Sequence, residues 1–122
     1  MPRVVHFEIP ADDPDKLAEF YKSVFGWTIQ KWDGPVDYWL VMTGSKDQPG
    51  IDGGMGRKSD GMSAVVNTMD VPSVDEYVSK IEAAGGTITV PKMAIPGVGW
   101  MAYFKDPDGN VSGIMEEDAS AK

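Results

Sequence analysis

One order of elements occurs twice along this chain, and the repetition limits the available folds more than any other feature. Residues 3–9 alternate, with Val5, Phe7 and Ile9 on one side and Val4, His6 and Glu8 on the other, the period of a strand. A helix then follows Asp13, an N-cap residue, with Pro14 at its first position. Its apolar stripe is Leu17, Phe20, Tyr21 and Val24, and Gly26 stops it. Strand patterns lie near 27–32, 37–43 and 51–55. The same order returns with a strand near 62–69, a helix capped by Ser73 and Glu76, and strands near 87–90, 98–105 and 110–115. Val74, Tyr77, Val78, Ile81 and Ala84 form the second helix's stripe, and Gly85 and Gly86 close it. Turn signals, Pro49-Gly50 and Asp106 to Asn110, precede the last strand of each set.

An offset of sixty residues superimposes the helices, Leu17 on Tyr77, Tyr21 on Ile81, Val24 on Ala84 and Gly26 on Gly86. The repeat is one of pattern, since few letters match. A single β-α-β-β-β unit covers one face of its sheet with a helix and leaves the other bare. Two such units side by side predict an α+β fold, a curved, half-open mixed sheet or barrel around a cavity, with the helices outside. Module 1 is expected over about 1–57, module 2 over about 61–118, and a short disordered C-terminal tail after it.

Composition narrows the partners. The chain has 122 residues and no cysteine, which removes disulfides, zinc–thiolate sites and cysteine nucleophiles and is compatible with a cytoplasmic location. A formal net charge of −8 argues against nucleic acid or an anionic membrane, both of which are bound chiefly through Lys and Arg. No apolar run is long enough to span a bilayer, and MPRVVHFEIP lacks the apolar stretch of a signal peptide. The Gly-rich stretch 50–61 lacks phosphate-loop spacing and is read as a fourth strand leading into a flexible inter-module linker.

Three stretches carry a family resemblance. HFEIPADDPDKLAEFYKSVFGW (6–27), DVPSVDEYVSKIEAAGGTITVPK (70–92) and GVGWMAYFKDPDGNVSGIMEE (97–117) resemble the opening, the second module and the closing hairpin of vicinal oxygen chelate proteins. That superfamily includes glyoxalase I, bleomycin- and fosfomycin-resistance proteins and extradiol dioxygenases. The resemblance implies a small-molecule cavity completed in a homodimer. It also implies, for metal-dependent members, four His, Gln or Glu ligands on the first and last strand of each module.

Only one of those four positions carries a ligand here. His6 matches the first; its counterpart in module 2 is Val66, or Ala64 if the alignment slips by two; the last-strand positions are Gly53 and Gly113. A catalytic divalent ion needs about three protein ligands. A site made of His6, Glu8 and Asp52 would be a new arrangement, so no cofactor is expected, with a divalent metal as the minority alternative. Gly53 and Gly113 either open room on the cavity floor or mark close backbone packing.

The remaining candidates line a cavity or fill a core. Trp39 and Trp100 lie on central strands of different modules and, with Tyr38 and Tyr103, offer flat surfaces for a planar ligand; packing beneath the helices is the alternative. Met55 and Met115 adjoin the glycine strands as core filling or as an adaptable wall. His6, the one histidine, is a hydrogen-bonded wall residue or, with Glu8, an acid–base pair.

Two functions from different classes follow. The first is a metal-free protein that binds or sequesters a small aromatic or drug-like ligand through His6, Trp39, Gly53, Met55, Val66, Trp100, Tyr103, Gly113 and Met115. The second is a glyoxalase-like lyase or isomerase, or a dioxygenase relative, with His6 and Glu8 catalytic and an atypical or absent metal.

Overall fold

A computed structural model describes residues 2–58 and 63–122. Position 62, where the first strand of the second set was expected to start, and most of the expected linker lie outside the described residues. The element order is β1 (Val4–Ala11), α1 (Pro14–Phe25), β2 (Thr28–Lys31), β3 (Tyr38–Met42) and β4 (Gly53–Arg57). It repeats as β5 (Val66–Asp70), α2 (Val74–Ala83), β6 (Thr87–Ile95), β7 (Gly99–Lys105) and β8 (Val111–Glu117). The α+β class and the doubled strand–helix–three-strand order agree with the sequence reading.

The chain divides into two compact units, His6–Val65 and a second that joins Val66–Lys122 to the residues up to Val5. Within the first unit the strand order is β2-β3-β4-β1; β1 and β4 run parallel, and the other pairs are antiparallel. The second repeats this arrangement as β6-β7-β8-β5, with β5 and β8 parallel. The opening residues are tied into the second unit through Arg3, whose backbone N–H donates to Asp70 Oδ1 at 2.9 Å and whose carbonyl accepts from Asp70 N at 3.0 Å.

Local chemistry sets the helix ends. Asp13 Oδ1 accepts from Lys16 N at 3.2 Å, and Gly26 ends α1 at φ 73°, a conformation glycine adopts without Cβ strain. Ser73 Oγ accepts from Glu76 N at 3.1 Å, and Glu116 Oε1 on β8 accepts from Val74 N at 2.9 Å, so two of the otherwise unpaired N–H groups of α2 are satisfied. In each unit the helix lies on one face of the sheet. Ala11, Ala18, Ile29, Trp39, Val41 and Met55 form the first core, with Leu17, Tyr21 and Trp27 packed against it. Val71, Val74, Ala102 and Ile114 form the second, with Tyr77, Val78, Ile81, Trp100 and Phe104.

Two elements depart from expectation. β6 runs to Ile95 through Pro91, past the strand expected near 87–90. It is an outer strand of its unit with register shifts between Ile88 and Met93, and an outer, bulged strand tolerates a missing N–H. The C-terminal residues, read as a tail, are held in a turn. Asp118 N donates to Val98 O, Trp100 Nε1 donates to Asp118 Oδ2, Ala121 O accepts from Gly97 N, and Ala121 is buried.

Candidate functional site

Strand alternation decides what the helix-free face of the first unit carries. Ala11 belongs to the α1 core and Phe7 packs against it, so His6, Glu8 and Pro10 point away from it. On β3, Trp39 and Val41 are core residues, and Tyr38, Leu40 and Met42 share the opposite face. On β4, Met55 is core, and Gly54 and Gly56 face the other way.

Three of these side chains form one hydrogen-bonded chain. The Tyr38 hydroxyl donates to Glu8 Oε2 at 3.0 Å and lies 2.9 Å from His6 Nε2. Glu8 is only 5% exposed, so its contact with the phenol is made largely out of water, where a charged hydrogen bond counts for about 1.5–3 kcal/mol. Gly54 makes the chain possible. It sits on β4 beside Leu40, and a Cβ there would overlap the Tyr38 phenol. Asp52 lies at the entrance to β4, its carboxylate accepting from Thr43 N at 2.8 Å.

Burial holds the His6 imidazole below the usual value of 6.5, against the opposing pull of the Glu8 and Asp52 charges. The ring is therefore neutral at pH 7. The role of Nε2 follows the tautomer: protonated, it donates to the phenol oxygen, and unprotonated it accepts from the hydroxyl.

The strand register corrects the match between modules. Glu8 lies opposite Gly54 in the β1–β4 pair, and Thr68 opposite Gly113 in the β5–β8 pair. The counterpart of Gly113 is thus Gly54 and not Gly53, a one-residue departure from the offset of sixty. Gly53 faces the core, where a Cβ would meet the Phe7 ring. At Gly113 a Cβ would lie 3.0 Å from Thr68 Oγ1 and 3.3 Å from the Tyr103 ring. Close packing, the alternative to an opened floor, accounts for both glycines.

The other candidates separate by face. Trp39 and Met55 are core residues beneath α1, with the Arg57 guanidinium 5.3 Å from the Trp39 ring centroid. Trp100 packs against the α2 core. The packing alternative describes all three. Val66, Thr68, Tyr103, Gly113 and Met115 share the helix-free face of the second unit by strand alternation. The sequence reading missed Tyr38 as a partner of His6 and Glu8, and it missed Gly54. The available signal was a tyrosine entering the strand opposite a run of glycines.

The four positions where metal-dependent relatives place ligands hold His6, Val66, Gly54 and Gly113. Among the described residues no group of three or more His, Asp or Glu side chains is arranged to hold a metal ion. One imidazole does not fit a catalytic divalent ion, which takes about three protein ligands. The Tyr38 hydroxyl bridges His6 and Glu8.

The doubled module matches a known class. The model of the Glyoxalase/Bleomycin resistance protein/Dioxygenase superfamily fits residues 3–112, and the chain belongs to that superfamily. Among individual proteins, it is similar to the anthracycline biosynthesis proteins DauV of Streptomyces sp. (strain C5) and DnrV of Streptomyces peucetius. Each is 29% identical over 131 aligned residues, covering 90% of this chain and 47% of the relative. The chain thus spans about half the length of the curated relatives it matches. Methylmalonyl-CoA epimerase from Mycobacterium tuberculosis shares the fold, with a TM-score of 0.68 at 13% identity over 94% of this chain and 87% of that one. No helix among the described residues is long and apolar enough to cross a membrane.

Proposed function

We propose that this chain is a metal-independent member of its superfamily that binds or sequesters a small aromatic or drug-like molecule on the helix-free face of its first module. The observation that carries this reading is the His6–Tyr38–Glu8 chain, which presents polar groups on that face where an ion-binding relative would need several ligands. The names of DauV and DnrV support the ligand class, since anthracyclines are flat polycyclic aromatics. Solvent-facing Phe20, Val24 and Phe25 on α1 support self-association as a homodimer, and the lack of cysteine suits a cytoplasmic setting. The test is a thermal-shift and tryptophan-quenching screen of aromatic compounds, with and without EDTA. Saturable binding unaffected by the chelator is expected. Binding that appears only with added divalent metal would remove the proposal.

A second reading rests on the neutral imidazole beside two carboxylates, a composition suited to a general base. In a glyoxalase-like lyase or isomerase, the His6 imidazole would take the proton, with Tyr38 and Glu8 hydrogen-bonded beside it. Turnover lost in His6→Ala with binding retained would favour it over sequestration.

A further inference from the structure

We propose that Trp32 is a specificity residue of this face and that its indole N–H donates a hydrogen bond to the ligand, so that aromatic molecules carrying a neutral acceptor are favoured over those of the same shape that lack one. The inference rests on the small-molecule reading above and adds the side chain and the polar group by which the ligand is recognised.

Trp32 directly follows β2, and its backbone N–H donates to Tyr38 O at 2.7 Å. It extends the register that sets Lys31 opposite Trp39 and Gln30 opposite Leu40, and so stands opposite Tyr38. Residues opposite one another share a face of the sheet, which puts the indole on the helix-free face beside the phenol. The two ring centroids are 6.2 Å apart with their planes at 81°, an edge-to-face contact. Gly34 holds the indole from the loop, since a Cβ there would overlap its six-membered ring. Trp27 and Trp39 pack in the α1 core and Trp100 against the α2 core, which leaves Trp32 as the one indole on a helix-free face. Its N–H is also uncommitted. Trp100 Nε1 donates to Asp118, whereas Trp32 Nε1 has no partner among the described residues. Thr68 Oγ1 is the one buried side-chain polar atom among them without a partner, so the half-buried Trp32 keeps its N–H in contact with solvent. An indole N–H donates and does not accept. A ligand that covers it and offers an acceptor replaces the lost water; one without an acceptor strips the water and returns nothing. Glu8 and Asp52, whose charges act on His6, make the face acidic, so a neutral acceptor suits it better than an anionic one. A ring already anchored by Gly34 and Tyr38 gives up little freedom on binding.

Quinoline and naphthalene have the same flat shape, and only quinoline carries an acceptor, a ring nitrogen that is uncharged at neutral pH. Their affinities are measured by NMR titration, which follows the indole N–H signals and the ring signals of His6, the sole histidine and a marker of the same face. The Trp32 signal is assigned through its proximity to the Tyr38 ring. In the unmodified protein, quinoline should move the Trp32 N–H signal further downfield than naphthalene does. Trp32→Phe keeps an aromatic ring beside Tyr38 and removes the N–H. It should lower the ratio of quinoline to naphthalene affinity about threefold or more, the worth of one net hydrogen bond read through a two-by-two comparison that cancels the difference in hydrophobicity. If Trp32→Phe fails to fold, Gly34→Ala drives the indole from its place and should lower the same ratio. A ratio indifferent to the substitution, or a Trp32 N–H signal that responds alike to both compounds, overturns the inference. Saturable binding that still moves the His6 signals in that case leaves the small-molecule reading standing. No saturable binding of either compound defeats both.

Discussion

The two modules share one topology and differ in what they place on the helix-free face. His6 corresponds to Val66, Glu8 to Thr68, Tyr38 to Met101 and Leu40 to Tyr103, about the common glycines Gly54 and Gly113. The first module links its polar groups into a chain that ends in a buried carboxylate. The second places a fully buried threonine beside its glycine, and the Oγ1 of that residue finds no partner. Equivalent backbone positions therefore carry a hydrogen-bonded imidazole, phenol and carboxylate in one module and a different set of side chains in the other. The scaffold sets where side chains point, and a few substitutions set what the face can do.

The largest test concerns the cores, which the comparison treats as equivalent. Met55→Ala in the first module and Ile114→Ala in the second each remove a side chain at most 2% exposed. Each is expected to cost about 2–5 kcal/mol in urea denaturation. A loss confined to one of them would break the equivalence of the modules.

Polar deletions should then separate the modules by sign. Tyr38→Phe removes the phenol from both His6 and Glu8 and is expected to destabilise by about 1–3 kcal/mol. Thr68→Val, the corresponding polar-to-apolar change in the second module, removes a hydroxyl that is already unpaired. It is expected to be neutral or to stabilise by up to about 1 kcal/mol, read as a higher Tm. Destabilisation by Thr68→Val would mean that its hydroxyl serves a partner after all.

The smallest effect is on pH dependence and belongs to the first module alone. Burial holds the folded-state pKa of His6 below 6.5, so the unfolded chain takes up the proton first as pH falls. The contribution of His6 to stability is complete above pH 6.5 and is lost as pH drops from there through the folded-state value. Comparison of the protein with His6→Phe across that range should isolate it, and a stability gain on acidification attributable to His6 would reverse the assignment.

Much of the fold is legible in the sequence because its signals are local. Asp13, Ser73 and Gly26 cap helices through contacts within a few residues, and the alternation at 3–9 already divides Phe7 and Ile9 from His6 and Glu8. The site is less legible because it depends on register. Tyr38 to Met42 is apolar on both faces, so the pattern cannot say that Trp39 turns to the helix and Tyr38 away from it. The one-residue difference between the modules at β4 and β8 is set by unequal connections, and it moves the decisive glycine from 53 to 54. Hydrogen bonding of residue 38 to residues 6 and 8 has no sequence period to announce it.

The tie between the Trp100 indole and Asp118 has a practical side. Trp27, Trp32 and Trp39 all belong to the first unit, and Trp100 is the lone indole of the second. The molecule thus carries its own optical reference. Emission that changes on titration in a Trp100→Phe background comes from the half bearing the imidazole, while the light lost by that substitution reports on the chain's far end.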